Sequence, residues 1–263
     1  MLESTLIKSR IQLRMRDLIA KFWVAGTLIA LVLPVTAARA EEGEGMQQSL
    51  ANVADVVSLQ RGARLYFNYC AGCHSIKYVS YSSLAEDLRL SPDDVLKNFA
   101  LAGAKIGDQV VSNMPAEGAQ AWFGKAPPDL SLEARAKSPD WIYNYLKSFY
   151  IDPSSMTGWN NTVFPNASMP NPLWELQGVQ TAQKSSAKPG EEAKVEKLDV
   201  TRKGKLSAAE FDETARDITA FLQYVGEPAA LKRYSVGVWV VLFLAFFTFL
   251  AFLLKHEYWQ DVH

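Results

Sequence analysis

The chain has 263 residues, of which 49% are hydrophobic, with 27 Lys and Arg against 28 Asp and Glu. That apolar fraction is enough to bury the core of one domain of ordinary size. Residues 41–230, however, contain 18 Lys and Arg and 24 Asp and Glu, a net charge of −6. This charge argues against nucleic-acid binding and favours an acidic surface that meets a basic partner. Ordinary solubilising charge is the alternative interpretation.

Residues 1–40 have the pattern of a secretory signal peptide. Several basic residues precede an apolar stretch from Phe22 to Val35, and the segment ends at Ala38-Arg39-Ala40. A basic region, an apolar core of this length and an Ala-x-Ala end predict export followed by cleavage. Translation from Met15 instead of Met1 is an alternative because the leader is long. An uncleaved anchor is another, although the apolar stretch is short for a membrane span.

A helix predicted over residues 53–67 leads into the run Cys70-Ala71-Gly72-Cys73-His74. Two thiols one helical turn apart can form thioethers to the two vinyl groups of one porphyrin, and the next imidazole can bind the iron. These are the only two cysteines in the chain. The run therefore predicts one covalently attached haem c, with Cys70, Cys73 and His74 in the site. A thioredoxin-like redox pair and a zinc site, which would need a fourth ligand, are the alternatives.

Start signals predict three further helices. Ser91-Pro92 and Ser138-Pro139 each place a proline near a first helical turn, next to acidic residues that suit the helix dipole. Ser207 and Glu210 form a capping box at the start of an amphipathic helix that runs to Val225. The predicted buried face consists of Phe211, Ala215, Ile218 and Leu222. Gly226 and Pro228 are predicted to end the helix.

The predicted fold class is all-α: a c-type cytochrome domain with long loops around the haem, plus one C-terminal transmembrane helix. Residues 178–206 interrupt the helical pattern. They are rich in Lys, Glu, Ser and Ala and contain no aromatic residue. We expect this stretch to be a surface insertion or a flexible loop.

The C-terminal part contains a predicted membrane span. Residues 236–254 are 19 consecutive residues without a charge, which is long enough to cross the hydrocarbon core as a helix. Positive charges flank both ends, so the signal peptide decides the predicted orientation. We expect residues 41–230 to form a haem domain in the periplasm, residues 231–255 to be the transmembrane helix and residues 256–263 to face the cytoplasm.

The candidates for the second axial ligand of the iron can be reduced by elimination. Besides His74, the chain has only His256 and His263, which lie beyond the predicted span. Methionine is the usual remaining ligand, and a thioether raises the reduction potential of the iron. Spacing alone does not choose between the candidates, and each of them could instead be a packing residue. The candidates are Met114, Met156 and Met169.

Four segments resemble the cytochrome c1 family, the haem subunit of the cytochrome bc1 complex, and the resemblance covers residues 45–262. Arg61-Gly62 and the run from Tyr69 to Tyr81 are similar to the haem segment of that family. Ala126-Pro-Pro-Asp-Leu-Ser131, followed by Arg135, is similar to its Pro-Pro-Asp-Leu-Ser…Arg element. Phe164-Pro…Met169-Pro resembles its axial-methionine loop, and the single span with a short tail matches its ending.

The resemblance implies roles for individual residues. Met169 would be the second axial ligand, so that His74 and Met169 bind the iron. Pro127 and Pro128 would pack on the haem, and Arg135 would approach a propionate. No residue is expected to act as a catalytic group on a substrate.

The resemblance implies electron transfer in respiratory or photosynthetic electron transport. The haem would accept electrons from a Rieske iron–sulfur protein and pass them to a soluble c-type cytochrome, in a bacterial inner membrane that also holds a cytochrome b subunit. Expected contacts therefore include membrane lipid but no nucleic acid. Two other functions are considered: a free-standing, membrane-tethered cytochrome shuttle, and a haem peroxidase or sensor.

Overall fold

The computed structural model describes residues 46–185 and 195–259; the predicted signal peptide and the last residues of the predicted tail lie outside them. Within these ranges the chain forms nine helices connected by loops and short strands. The helices are α1 (Val56–Tyr69), α2 (Tyr81–Asp87), α3 (Pro92–Asn98), α4 (Ala116–Phe123), α5 (Glu133–Lys137), α6 (Pro139–Lys147), α7 (Trp174–Gln177), α8 (Ala208–Gly226) and α9 (Ala230–Tyr258).

The all-α prediction is supported in broad terms, because helices predominate, but short strands are present as well. The described residues form three antiparallel pairs, β1 with β2, β3 with β4 and β5 with β6. Two pairs, β3 with β4 and β5 with β6, join strands that follow each other in the chain, whereas α2 and α3 lie between β1 and β2. The strands are β1 (Ile76–Ser80), β2 (Gln109–Val110), β3 (Phe149–Ile151), β4 (Trp159–Asn161), β5 (Gly178–Lys184) and β6 (Val195–Lys203).

The described part of residues 178–206 is a strand pair and not the flexible loop that was one of the two expectations; the surface insertion stays a prediction. Strands β5 and β6 pair from Gly178 with Lys203 to Lys184 with Val195. Gln180 anchors this hairpin to the domain, because its side-chain amide donates hydrogen bonds to the carbonyl oxygens of residues 147 and 149, at 2.8 and 2.9 Å. This polar stretch therefore forms an ordered strand pair in its described part, and Gln180 is one of its anchors to the domain.

The predicted helix starts are confirmed. Ser91 and Ser138 cap α3 and α6 through hydrogen bonds from backbone amides to their hydroxyl groups, and proline follows each of them. Both halves of the predicted capping box are present at the start of α8 between Ser207 and Glu210. The four predicted core residues of α8 are buried. Helix α1 also forms, with Asp55 as its N-cap.

The core of the domain lies where α8 crosses α1. Gly62 makes this close approach possible, because a Cβ atom built on it would lie 2.1 Å from the carbonyl oxygen of Asp217. Beside the crossing, the Arg61 guanidinium donates two hydrogen bonds to the Asp217 carboxylate, at 2.5 and 2.8 Å, and Ser58 Oγ donates a third at 2.6 Å. Helix α8 also packs against α6. These contacts hold the segment before residue 70 against the last helix of the domain.

The predicted span lies within α9. Residues Ser235–Tyr258 form the one helix in the described ranges that is long and apolar enough to cross a membrane, and its apolar side chains are exposed. The helix begins at Ala230, after the short connection 227–229 that follows α8, and Leu231 packs against the core. A continuous connection therefore joins the domain to the apolar helix.

Candidate haem site

Cys70 and Cys73 lie where α1 ends. The Cys70 amide closes the last turn on the Tyr66 carbonyl oxygen (2.8 Å), and the amides of Cys73 and His74 both donate to the Cys70 carbonyl oxygen, at 3.0 and 2.8 Å. Both thiols line one cavity. Burial raises the pKa of the Cys70 thiol to about 12, whereas a redox-active pair needs a lowered thiol pKa. This environment disfavours the thioredoxin-like alternative.

The His74 ring is oriented by a main-chain carbonyl. Its Nδ1 lies 2.8 Å from the Pro128 carbonyl oxygen, which can only accept a hydrogen bond. Nδ1 therefore carries the proton, and Nε2 keeps its lone pair for a metal. Burial lowers the pKa of His74, so the neutral, ligating form is favoured. The buried Tyr66 hydroxyl fixes the same residue by donating to the His74 carbonyl oxygen (2.7 Å).

The segment Pro127–Ser131 is held against the chain that follows His74. The Leu130 amide donates to the Ser75 carbonyl oxygen at 2.8 Å. Asp129 accepts hydrogen bonds from the amides of Lys77 (3.1 Å) and Ser131 (2.9 Å). The Pro-Pro-Asp-Leu-Ser element thus positions the carbonyl that orients His74, while the rings of Pro127 and Pro128 line the cavity.

Met169 lines the same cavity as His74, whereas Met114 and Met156 do not. Met156 is 68% exposed. The Tyr145 hydroxyl lies 3.5 Å from Met169 Sδ. Burial raises the pKa of Tyr145 to about 12, so this hydroxyl remains a hydrogen-bond donor.

Two asparagines in β4 support the loop that leads to Met169. Asn161 is fully buried; its Oδ1 accepts from the amides of Val163 (2.9 Å) and Phe164 (3.1 Å), while its Nδ2 donates to the Tyr145 carbonyl oxygen (2.8 Å). Asn160 Oδ1 accepts from the amide of Asn166 at 2.8 Å. The loop is therefore tied to α6 by side chains.

The cavity has a volume of about 480 Å³, and most of its walls are apolar. Its two thiols, imidazole and thioether form a nitrogen and sulfur donor set of the kind that holds haem c. No group of three or more His, Cys, Asp or Glu side chains that could hold a metal ion occurs within residues 46–185 and 195–259, so the zinc alternative has no support there. Apolar side chains complete the wall: Phe123, Leu130, Trp141, Ile142, Leu146, Phe164, Ala167, Ile218 and Leu222.

The charges at the cavity come from residues that the sequence analysis did not select. Lys125, Glu133 and Lys137 line it, whereas Arg135 is exposed and is not among the lining residues. The Lys125 ammonium lies 5.6 Å from the centre of the Phe164 ring, and the Lys137 ammonium lies 5.6 Å from that of Trp141. Because these rings also line the cavity, both ammonium groups are held at its edge.

The structure thus brings together six of the seven predicted site residues: Cys70, Cys73, His74, Pro127, Pro128 and Met169. The exception is Arg135. Tyr145, Asn161, Lys125 and Lys137 were missed. No local sequence pattern marks Tyr145, whose sulfur partner lies 24 residues later, or the contact of Asn161 with the Tyr145 carbonyl oxygen, 16 residues earlier.

Comparisons with known proteins agree with this geometry. The chain matches the model of the Cytochrome C1 family over residues 46–112 and 102–262. It is 44% identical to cytochrome c1 of Allochromatium vinosum, covering 89% of this chain and 96% of the relative. It is 36% identical to a Nitrosomonas europaea protein named ammonia monooxygenase gamma subunit, covering 90% and 97%. It is also 25% identical to the mitochondrial cytochrome c1 heme protein of Saccharomyces cerevisiae, covering 79% and 68%.

Proposed function

Since the chain belongs to the cytochrome c1 family, we propose that it is the membrane-anchored haem subunit of a cytochrome bc1 complex. In this role it passes electrons from a Rieske iron–sulfur protein to a soluble c-type cytochrome. The observation that carries the proposal is the apolar cavity in which two thiols, an oriented imidazole and a thioether meet. The apolar helix Ser235–Tyr258 supplies the membrane anchor.

The residues of the cavity fit one covalently attached haem c. Cys70 and Cys73 would bind it through thioethers, and His74 Nε2 and Met169 Sδ would bind its iron. When bound, the haem supplies an iron that gains and loses one electron. The His74–Pro128 hydrogen bond keeps the imidazole in its ligating tautomer, and the apolar walls exclude water. The chain itself carries out no bond-making chemistry on a substrate.

The cations beside the cavity would offset the two negative propionates. Lys125 and Lys137 are the candidates favoured by their position at its edge. Arg135, the residue implied by the family resemblance, is only two residues from Lys137 in α5 and stays a prediction. Pro127 and Pro128 would pack on the macrocycle.

The proposed topology follows from the two apolar segments of the sequence. The signal peptide over residues 1–40 would export residues 41–230, so that the haem domain lies in the periplasm of a bacterium. The transmembrane helix over residues 231–255 would then hold the domain beside a cytochrome b subunit, with residues 256–263 in the cytoplasm. Purification from detergent-solubilised membranes tests this proposal. Loss of the cytochrome b and Rieske subunits under mild conditions would favour a free-standing cytochrome shuttle instead.

Covalent attachment gives a direct test of the cavity. The haem of the native chain should survive denaturation and acid–acetone extraction, because thioether bonds do not release haem as ligand bonds do. Cys70→Ser or Cys73→Ser should leave one thioether at most and lower the yield of holoprotein. Haem staining on denaturing gels measures both. A native chain that loses all of its haem would contradict the c-type assignment.

The spectrum of the same preparation separates electron transfer from the peroxidase or sensor alternative. With His74 and Met169 both bound, the iron has no open position, so we expect a six-coordinate, low-spin spectrum that carbon monoxide does not change. Rapid formation of a carbon monoxide complex by the intact chain would contradict the proposed ligand pair.

A further inference from the structure

The hydroxyl of Tyr145 makes a hydrogen bond to a sulfur atom. It lies 3.5 Å from Met169 Sδ inside the apolar cavity. A thioether sulfur is a weak acceptor, so a buried phenol would not be expected to select it where a stronger acceptor could be reached. The pairing indicates that the surrounding structure directs the hydroxyl to this sulfur.

Aromatic contacts fix the Tyr145 ring. Trp141, one helical turn earlier in α6, stacks on it with centroids 4.9 Å apart and planes 9° apart. Phe149 packs against it edge-on at 5.0 Å and 69°. Such contacts stabilise a ring orientation beyond the burial of its area. The ring therefore has little freedom to turn its hydroxyl elsewhere.

The main chain links the two partners as well. Asn161 donates to the Tyr145 carbonyl oxygen and accepts from two amides at the start of the Met169 loop. The helix that carries the hydroxyl and the loop that carries the sulfur are thus joined through one buried side chain. The 3.5 Å contact lies between two connected elements, not between two independent surfaces.

We propose that Tyr145 is a positioning residue for Met169, whose hydroxyl donates to Sδ and thereby sets both the orientation of the thioether and the reduction potential. The inference rests on the proposed function, in which Met169 binds the iron. A sulfur atom has two lone pairs, so one can bind the metal while the other accepts the phenol. The hydrogen bond withdraws electron density from the sulfur. Ferric iron depends more on that density than ferrous iron, so the bond raises the potential.

The test compares Tyr145→Phe with the native chain as purified membrane holoprotein. The phenylalanine ring can keep both aromatic contacts and removes only the hydroxyl. We expect the near-infrared sulfur-to-iron band to shift or weaken. We also expect the midpoint potential to fall, by up to about 59 mV for a tenfold change in the ferric-to-ferrous ratio. Covalent haem content should not change.

Tyr143→Phe is the matched control. Tyr143 is a buried tyrosine of the same helix, but its hydroxyl accepts from Lys147 Nζ at 2.9 Å and does not line the cavity. Its removal should alter stability without moving the band or the potential. If Tyr145→Phe matches this control in both readouts, the inference is overturned.

Met169→Leu distinguishes failure of the inference from failure of the proposed function. If this variant loses the near-infrared band while Tyr145→Phe is unchanged, Met169 is the ligand and Tyr145 has no role in positioning it. If Met169→Leu keeps the band, Met169 is not the ligand and the inference falls with that assignment. Loss of the band in Met169→Leu with a lowered potential in Tyr145→Phe supports both.

Discussion

At the scale of single residues, the cavity combines an apolar interior with cations held at its edge. Lys125 and Lys137 both place their ammonium groups over aromatic rings that line it. A lysine in this arrangement keeps its charge close to the site while its stem covers apolar surface. The charge therefore acts on whatever anion occupies the edge of the cavity.

Replacing these lysines should lower the midpoint potential of the haem. Removing a positive charge beside a propionate leaves negative charge that favours ferric iron. For a partly exposed site this amounts to about 1 kcal/mol, or a few tens of millivolts. Lys137→Gln and Lys125→Gln should each show the fall in potentiometric titration, and Arg135→Gln tests the family-implied residue in the same assay.

Lys97→Gln is the control for this prediction, because Lys97 is exposed on α3 and does not line the cavity. The midpoint potential of the Lys97→Gln variant should equal that of the native chain at every salt concentration. Equal potentials in all four variants would mean that the propionates are not paired with these cations.

At the scale of elements, the crossing of α1 and α8 determines how the haem-binding segment meets the rest of the domain. Gly62 allows the two backbones to touch, and Arg61 pairs with Asp217 beside it. The Arg61-Gly62 pair, noticed in the sequence only as part of a resemblance, thus has a physical explanation. One residue provides the space and its neighbour provides the charge-assisted hydrogen bonds.

Gly62→Ala should destabilise the domain by about 3 kcal/mol, because the added methyl group would meet the Asp217 main chain and force the helices apart. Chemical denaturation of the holoprotein measures the change. Gly107→Ala is the control: a Cβ atom there meets nothing within 4 Å, so it should have little effect. A Gly62→Ala variant as stable as the control would show that the crossing can relax without cost.

The elements differ in how far their sequences predict them. Helix starts at Ser91, Ser138 and Ser207 could be predicted because their capping partners lie within three residues. The anchoring of the β5–β6 hairpin could not, since Gln180 bonds to carbonyl oxygens about 30 residues earlier. Burial along α1 also does not follow hydrophobicity alone: Val57 is 58% exposed, while Ser58 and Gly62 are buried.

The same distinction applies to the site. Cys70, Cys73 and His74 are adjacent in the chain, so their chemistry could be predicted from spacing alone. Met169 needed a family resemblance, because nothing near it in sequence separates it from Met114 or Met156. Tyr145 could not have been selected at all: the sulfur that gives it a role is 24 residues away and is reached only after α6 and the following loop have packed.

At the scale of the whole molecule, the haem-binding cavity and the apolar helix share no residues, although the helix follows the domain in the same chain. The described lining residues of the cavity all precede Ala230, and α9 contributes none. The Lys232–Glu86 ion pair at 3.7 Å joins side chains that are at least 70% exposed, so it contributes little. The cavity should therefore not depend on the span.

Stopping the chain after Arg233 should give a soluble haem domain with a nearly native visible spectrum, since Leu231 is retained in the core. This domain should still reduce a basic cytochrome c. The rate should fall steeply with salt, because attraction across an acidic surface is screened over about 10 Å at 0.1 M ionic strength. Quinol turnover should disappear. Stopped-flow kinetics measures the rate of cytochrome c reduction and its dependence on salt.

Two outcomes would contradict this prediction separately. A rate that does not depend on salt would mean that the net charge of −6 over residues 41–230 only solubilises the domain. A truncated chain without the native spectrum would mean that α9 supports the cavity.

The position of α8 late in the chain has a consequence for the order of synthesis. Synthesis from the N-terminus produces residues 70–74 long before Ile218 and Leu222, which form part of the cavity wall. Before α8 is synthesised, the part of the cavity wall that it contributes is missing, and the Arg61–Asp217 pair between α1 and α8 cannot form. In the proposed function, Cys70 and Cys73 would thus be available for haem attachment before α8 completes the cavity wall.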